Sequence, residues 1–414
     1  MTDTVMRTFH IRSLACLRTR INVQRVYDYL VANRLRFTQN PWKADLIIID
    51  TCAFRNDREA VSLDVLKHCL ELKKKTSRVV CIGCLPKINE KAFEHRHDVS
   101  VLSSDELDGL DQLLDFKVQF SSIPEATHVK FFSGEFVEEA TLAVRALKKI
   151  SSGSSARHLL GQLLNDRKNN NCPGGYDIHK EQLNFKFQVK ISEGCLGKCS
   201  YCAIKNVWGD LRSRPLSKVK ADFETCLQRG AKEIVLVGHD LGAYGVDINL
   251  STVDLLRELF KYQKHYQLLL HNMNVQWLIK YAPEIINVCA LNSDKIKHMM
   301  IPIQSGSDRI LRLMGRPYAI DKALQVMQDL KKVLPHTLIR SDIMVGFPSE
   351  TEEDFEQTQK AMRILARKNI GFWLTHYSER SGTVAAAMGN KVDAMIIQNR
   401  LSKLREEFPD HAFQ

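Results

Sequence analysis

The chain has 414 residues, 44% of them apolar and 26% charged, with a formal net charge of +11. The length exceeds that of one ordinary core, so two domains are expected, and the composition is that of a globular protein. No run approaches the ~18 apolar residues of a membrane span, and MTDTVMRTFH lacks a secretory signal pattern, which makes the cytoplasm the expected location.

In chain order, TFHIRSLA reads as a strand and INVQRVYDYLVANRL as an amphipathic helix. ADLIIID is a continuous apolar run, the pattern of a parallel strand buried on both faces. The helix EAVSLDVLKHCLELKKK, the strands RVVCIGC and VSVLSS, and the short helix DELDGLDQLLD follow. This βα repetition predicts a small doubly wound sheet over residues 1–115. Residues 116–185 include ISSGSSARH and NDRKNNNCPGG and read as a linker region; Cys172 there is expected as a free thiol in a turn.

From 186 to 400 the alternation resumes. The strands FKFQVKIS, EIVLVGHD, YQLLLHNMN, HMMIPIQ, LIRSDIMVGF and FWLTHYS are separated by helices such as LSKVKADFETCLQRG. Six strands over this span predict an open (β/α)6 barrel whose site lies at the C-terminal strand ends. Residues 401–414 are expected as a tail. The α/β class therefore covers both predicted domains.

Eleven cysteines in a chain without a secretion signal favour metal or catalytic use over disulfides. Cys69, Cys226 and Cys289 fall on helical patterns and read as core. Cys195, Cys199 and Cys202 form CxxxCxxC just after a predicted strand, in ISEGCLGKCSYCAIKNVWGDLRSRP. Iron–sulfur clusters usually take four thiolates, so three leave one iron open, as a catalytic centre requires. The alternative is a zinc site completed by a distant histidine. Cys16, Cys52 and Cys84 each sit at or past a predicted strand end of the first domain, where a parallel sheet gathers its loops on one edge. Cys81 lies inside its strand, facing away from Val80 and Ile82, so Cys84 is the preferred member of that pair. A buried structural Cys16 is the alternative for the first position.

The three-cysteine segment, with Tyr201 before its last cysteine, resembles the cluster loop of the radical S-adenosylmethionine superfamily, and within it the methylthiotransferases. The likeness extends through VGHDLGAYGVD, IPIQSGSDRILRLMGRPY, SDIMVGFPSETEEDFEQT and HYSERSGTVAAAM, and in the first domain through TCAF and GCLPK. The cluster-loop wording is nearest to enzymes acting on threonylcarbamoyladenosine in tRNA; GDLRSRP is similar to those modifying an aspartate of a ribosomal protein. The resemblance implies two [4Fe–4S] clusters. Cys195, Cys199 and Cys202 would hold the catalytic one, whose open iron takes S-adenosylmethionine and cleaves it to a 5′-deoxyadenosyl radical. Cys16, Cys52 and Cys84 would hold the auxiliary one, which binds or supplies sulfur. A flavodoxin- or ferredoxin-type reducing system is the implied partner.

Strand-end polar residues are candidates for S-adenosylmethionine or substrate: Tyr201, Asp240, Gln304, Ser305, Ser307, Asp342, Arg212 and Arg214, the arginines for the cofactor carboxylate. Three departures from the family pattern stand out. Thr19 replaces an asparagine, Trp208 replaces an arginine, and the chain stops where a TRAM domain is expected. The last two favour a peptide or small biosynthetic molecule as substrate. The charge, diffuse apart from Lys73 to Lys75, favours tRNA. The expected reaction is conversion of a substrate C–H to C–S–CH3; the reading from another class is a non-catalytic iron–sulfur protein on the same scaffold.

Overall fold

The computed structural model describes residues 6–14, 16–129 and 187–413. In the first domain, β1 (Thr8–Ser13), β2 (Arg36–Phe37), β3 (Leu46–Thr51), β4 (Arg78–Gly83) and β5 (Ser100–Val101) form one sheet in the order β2-β1-β3-β4-β5. Every pairing is parallel. All six residues of β3 are buried, because helices cover both faces. Leu46 and Ile48 pack with Val23 and Val26 of helix Arg20–Ala32. Ile47 and Ile49 pack with Leu66 and Cys69 of helix Asn56–Leu72, on the face that also takes Cys81. The period-two alternation is thus present but hidden, since both sides of the strand are apolar. β2 has only two residues, too few to show a pattern.

The second domain begins with β6 (Gln188–Lys190) and a hairpin of β7 (Ser192–Glu193) and β8 (Arg212–Ser213). It continues with β9 (Glu233–Val237), β10 (Gln267–Leu270), β11 (Ile296–Met300), β12 (Leu338–Val345), β13 (Gly371–His376) and β14 (Ala412–Phe413). The seven strands other than the hairpin form a parallel sheet in the order β14-β13-β12-β11-β10-β9-β6. Residues 401–413, expected as a tail, instead finish helix Ala394–Glu407 and add β14 to the edge of the barrel. Two outer helices start with reciprocal capping boxes, Ser251 with Asp254 and Thr351 with Asp354, which satisfy otherwise orphaned amides. Of the expected linker, residues 116–129 are described: Phe120 and Ile123 join the first core, and Ala126 and Val129 lie against the barrel. Cys172 lies outside the described residues.

The first domain plugs the open barrel. Leu17 and Ile21 pack with Val235, Val237 and Leu269, from alternate positions on β9 and β10 to those that meet the outer helices. Burying each such side chain contributes about 1.5–3 kcal/mol. A second contact joins Ala53, Cys84, Leu85 and Ile88 to Ala203, Val207 and Trp208. A third is ionic: Arg380, after β13, pairs with Glu59 and donates to Asn56 Oδ1 at 2.5 Å. These contacts set the strand-end loops of the two sheets face to face.

Candidate active site

A cavity of about 270 Å³ lies between those loops, lined by Cys16, Cys52 and Cys84 from one domain and Cys195, Cys199 and Cys202 from the other. Cys16 follows β1, Cys52 follows β3 and Cys84 follows β4. This is the edge where the strand order reverses, the usual ligand crevice of a doubly wound sheet. The other three occupy the loop between β7 and helix Ile204–Trp208.

The second loop is held from several sides. Gly197 N donates to Cys195 Sγ at 3.1 Å. Ser200 N donates to Met314 O at 2.9 Å, and Ala385 N to Ser200 O at 2.8 Å. Gly194 has φ +68°, and a Cβ there would overlap the Asp210 carbonyl, so only glycine fits. Asp240 Oδ2 lies 4.0 Å from Cys195 Sγ and accepts from Trp277 Nε1 at 2.9 Å. Burial pushes the Asp240 carboxyl up to about 6.

The thiols do not share one protonation environment. Burial raises Cys16, but the Arg18 guanidinium beside it prevails and holds the thiol below its ordinary value. Burial, then the neighbouring Cys16, pushes Cys52 up to about 11, and Cys84 is raised well above the usual range by burial and by Cys52. Burial and Asp240 push Cys195 up to about 12, and Cys202 is raised by burial and Cys199. Most of these thiols therefore need a further positive charge to ionise, which bound iron supplies. Among the described residues, no three His, Cys, Asp or Glu side chains close on a point where one ion would sit. Two sets of three thiols around a shared cavity suit multi-iron clusters, in which each thiolate takes a different iron.

The other predicted site residues divide. Tyr201, Asp240, Gln304 and Asp342 line the cavity. Gln304 does so with φ +70°, a sparsely populated conformation for a side-chain-bearing residue, of the kind that collects at functional sites. Burial pushes Asp342 up to about 6, against Arg18 and Arg316. Tyr201, Gln304 and Asp342 also line an adjoining pocket of about 70 Å³, with Phe54, Arg55 and His376. Ser305 and Ser307 are fully buried and structural: Ser305 Oγ contacts Thr358 Oγ1 at 3.4 Å, and Ser307 caps helix Asp308–Leu313 while donating to Asp354 at 2.6 Å. Arg212 and Arg214 turn away from the cavity. Arg212, opposite Glu193 in the β7–β8 hairpin, pairs with it at 3.6 Å, and Arg214 pairs with Asp222 at 2.7 Å and donates to Lys190 O at 2.6 Å.

Three other arginines line the cavity instead, Arg18, Arg58 and Arg316. Arg316 was visible in LMGRPY and Arg18 in CLRT; neither spacing announces a buried cation. Trp208 is 3% exposed and seals the domain contact, with its ring 4.8 Å from that of His239, which also lines the cavity.

The model of the radical S-adenosylmethionine superfamily matches residues 189–362, and that of the uncharacterized protein family UPF0004 matches residues 8–103. The chain is 27% identical over 405 residues to a ribosomal protein uS12 methylthiotransferase, RimO, of Chlamydia felis, covering 96% of this chain and 77% of the relative. It is 29% identical over 365 residues to a probable threonylcarbamoyladenosine tRNA methylthiotransferase of Archaeoglobus fulgidus, covering 88% of this chain and 74% of the relative. Among solved structures, the radical S-adenosylmethionine methyltransferase TsrM of Kitasatospora setae, with cobalamin and a [4Fe–4S] cluster bound, superimposes with a TM-score of 0.58 at 12% identity. That match covers 92% of this chain and 77% of the other, and it is a likeness of fold.

Proposed function

Because the chain belongs to the radical S-adenosylmethionine methylthiotransferase family, we propose that it replaces one C–H bond of a polypeptide side chain or small biosynthetic molecule by C–S–CH3. The observation that carries this is the single cavity shared by both sets of three cysteines: a hydrogen removed beside one set leaves a carbon within reach of sulfur beside the other. Cys195, Cys199 and Cys202 would hold one [4Fe–4S] cluster and Cys16, Cys52 and Cys84 the second. When bound, the clusters and S-adenosylmethionine supply the one-electron cleavage that removes the hydrogen, and the sulfur and methyl group that take its place.

The chain's own residues orient and enclose. Arg316 fixes the cluster loop through Cys199 and Tyr201. Asp240, beside Cys195, accepts from Trp277 Nε1 and Asn274 N and so braces the strand-end turn facing that loop. Arg18 hydrogen-bonds Cys16 and stands near Cys84 and Cys202, so one cation offsets the negative charge of both sulfur sets. Leu17 and Ile21 close the barrel mouth against water. Tyr201, Gln304 and Asp342, which line the adjoining pocket, would hold the nucleoside end of S-adenosylmethionine.

Support for a peptide comes from the uS12 methylthiotransferase relative, which matches over 96% of this chain. A second reading, a tRNA adenosine, is favoured by the net charge of +11 and by Phe54, 40% exposed, which lines the cavity as Arg58 does. An exposed aromatic ring and a cation at one cavity suit a stacked base and its phosphate.

The test is to incubate reconstituted protein with reductant, S-adenosylmethionine and sulfide, adding either a uS12 peptide or tRNA carrying threonylcarbamoyladenosine. Gain of CH2S on the peptide supports the first reading and gain on the nucleoside the second. Absence of 5′-deoxyadenosine above background would sink both.

A further inference from the structure

The floor of the cavity holds two imidazoles with no part in the scheme above. His271 follows β10 and lines the cavity. His298, in β11, is 7% exposed behind it. His298 Nδ1 and His271 Nε2 are 3.2 Å apart, and the rings meet edge to face at 4.8 Å and 72°. One hydrogen must therefore lie between these two nitrogens.

Both rings are neutral. Burial lowers His271 to about 4, assisted by the charges of Arg18 and Arg340. Burial lowers His298 well below its ordinary value, assisted by His271 and Arg340. Two neutral rings sharing one hydrogen have two arrangements, and His298 Nε2 decides between them. That atom is buried and has no hydrogen-bond partner. Were His271 the donor, His298 would carry its own hydrogen on Nε2, as a buried N–H with no acceptor. With His298 donating from Nδ1, Nε2 is a bare lone pair close to the positive charge of Arg340. Orphaned buried N–H groups are the rarer and costlier case, so the second arrangement is preferred. His271 then accepts at Nε2 and carries its hydrogen on Nδ1, on a ring that lines the cavity.

The backbone around this floor is held in unusual conformations. Asn272 has φ +58° and Gln304 φ +70°, and both line the same cavity. Non-glycine residues adopt such angles at a cost of order 1–3 kcal/mol, and they concentrate where side-chain placement matters. The neutral His271 ring and the amides of Asn272 and Gln304 thus give the cavity uncharged polar groups beside its charged ones.

We infer that His271 offers Nδ1–H to an uncharged acceptor of the substrate, a carbonyl oxygen or ring nitrogen, and that His298 is the positioning residue that fixes its tautomer. This rests on the reading that the cavity receives the substrate. It adds which residue grips the substrate and what chemical group is gripped.

The tautomer is tested by neutron diffraction from the holoenzyme. Deuterium on Nδ1 of both histidines is expected; deuterium on His271 Nε2 overturns the inference. The grip is tested kinetically on variants with wild-type iron content, using whichever of the uS12 peptide or the tRNA is turned over. His271→Phe is expected to raise KM about tenfold, the scale of one lost hydrogen bond. His271→Asn, whose amide replaces Nδ1–H, should stay within about threefold of wild type. His298→Phe should raise KM by an intermediate factor. A wild-type KM in His271→Phe overturns the inference, as does an asparagine variant no better than phenylalanine. If wild type turns over neither probe, the functional reading has failed, and the neutron map alone decides the histidine pair.

Discussion

Arg316 Nη1 stands 3.7 Å from Sγ of Cys199 and 3.3 Å from the hydroxyl of Tyr201. The rest of the guanidinium is equally engaged: Nη2 donates to Pro302 O at 2.6 Å and Asn274 Oδ1 at 3.2 Å, and Nε to Tyr318 at 2.8 Å. One buried fork thus ties the cluster loop to the ends of two barrel strands. A lysine keeps the charge but cannot reproduce the planar fork. Arg316→Lys should therefore retain iron at the second-domain cysteines while 5′-deoxyadenosine formation falls at least about tenfold, the effect of losing one or more charge-assisted hydrogen bonds. An unchanged rate would remove Arg316 from the machinery.

The two cysteine sets should be separable. A Cys195/Cys199/Cys202 triple alanine variant is expected to lose about half the reconstituted iron and all 5′-deoxyadenosine formation, as follows from the proposal that each set would hold one cluster. The Cys16/Cys52/Cys84 variant should lose the other half, keep 5′-deoxyadenosine formation and make no thiolated product. Iron content equal to wild type in the second variant counts against the auxiliary centre.

The Arg380–Glu59 pair should govern domain docking. Its side chains are 5% and 15% exposed, and Glu59 also accepts from Asn89 at 2.5 Å. Removing one partner of a buried pair strands the other charge, at a cost of about 3–5 kcal/mol. Arg380→Ala is expected to lower the urea midpoint and to raise the ratio of 5′-deoxyadenosine to product, since the sulfur set loosens from the radical set. A ratio equal to wild type would show that docking does not depend on this pair.

A pH dependence follows from Glu350. Its Oε2 lies 2.8 Å from Arg400 and accepts from Gly346 N at 2.7 Å, yet burial prevails over both and pushes the carboxyl up to about 7. A carboxyl raised on folding stays protonated in the native state at pH values where the unfolded chain has already released its proton. Its stabilisation is complete below the unfolded value of about 4.5 and is lost as pH rises through about 7. Urea midpoints of wild type should fall between about pH 4.5 and about 7 and level off above, and Glu350→Gln should flatten that decline. Parallel profiles would assign the decline to another group.

Local pattern made much of the molecule legible. The apolar run LIIID had to be a doubly covered strand, and the six barrel segments each became a strand because their β-prone runs end in turn-forming residues. CxxxCxxC after a strand placed its own loop, since the ligands lie within eight residues of one another. Polar side chains at strand ends divide by their distant partners. Ser305, Ser307, Arg212 and Arg214 have the right positions in the chain but are consumed by capping, by packing or by ion pairs with Asp222 and Glu193. Which way a side chain leaves a turn depends on partners far away in sequence.

For the cysteines, the sequence by itself determined the placement: two groups of three thiols, each at strand ends of its own sheet. Only the tertiary structure decided that they share a cavity. That depends on Leu17 and Ile21 filling the barrel mouth, and on Arg380 reaching Glu59, contacts between residues more than 200 apart in the chain. The same docking brings Arg18 between the two sulfur sets and His271 beneath them. Strand periodicity and motif spacing are local properties, whereas the fit of one domain into the open side of another belongs to two assembled surfaces.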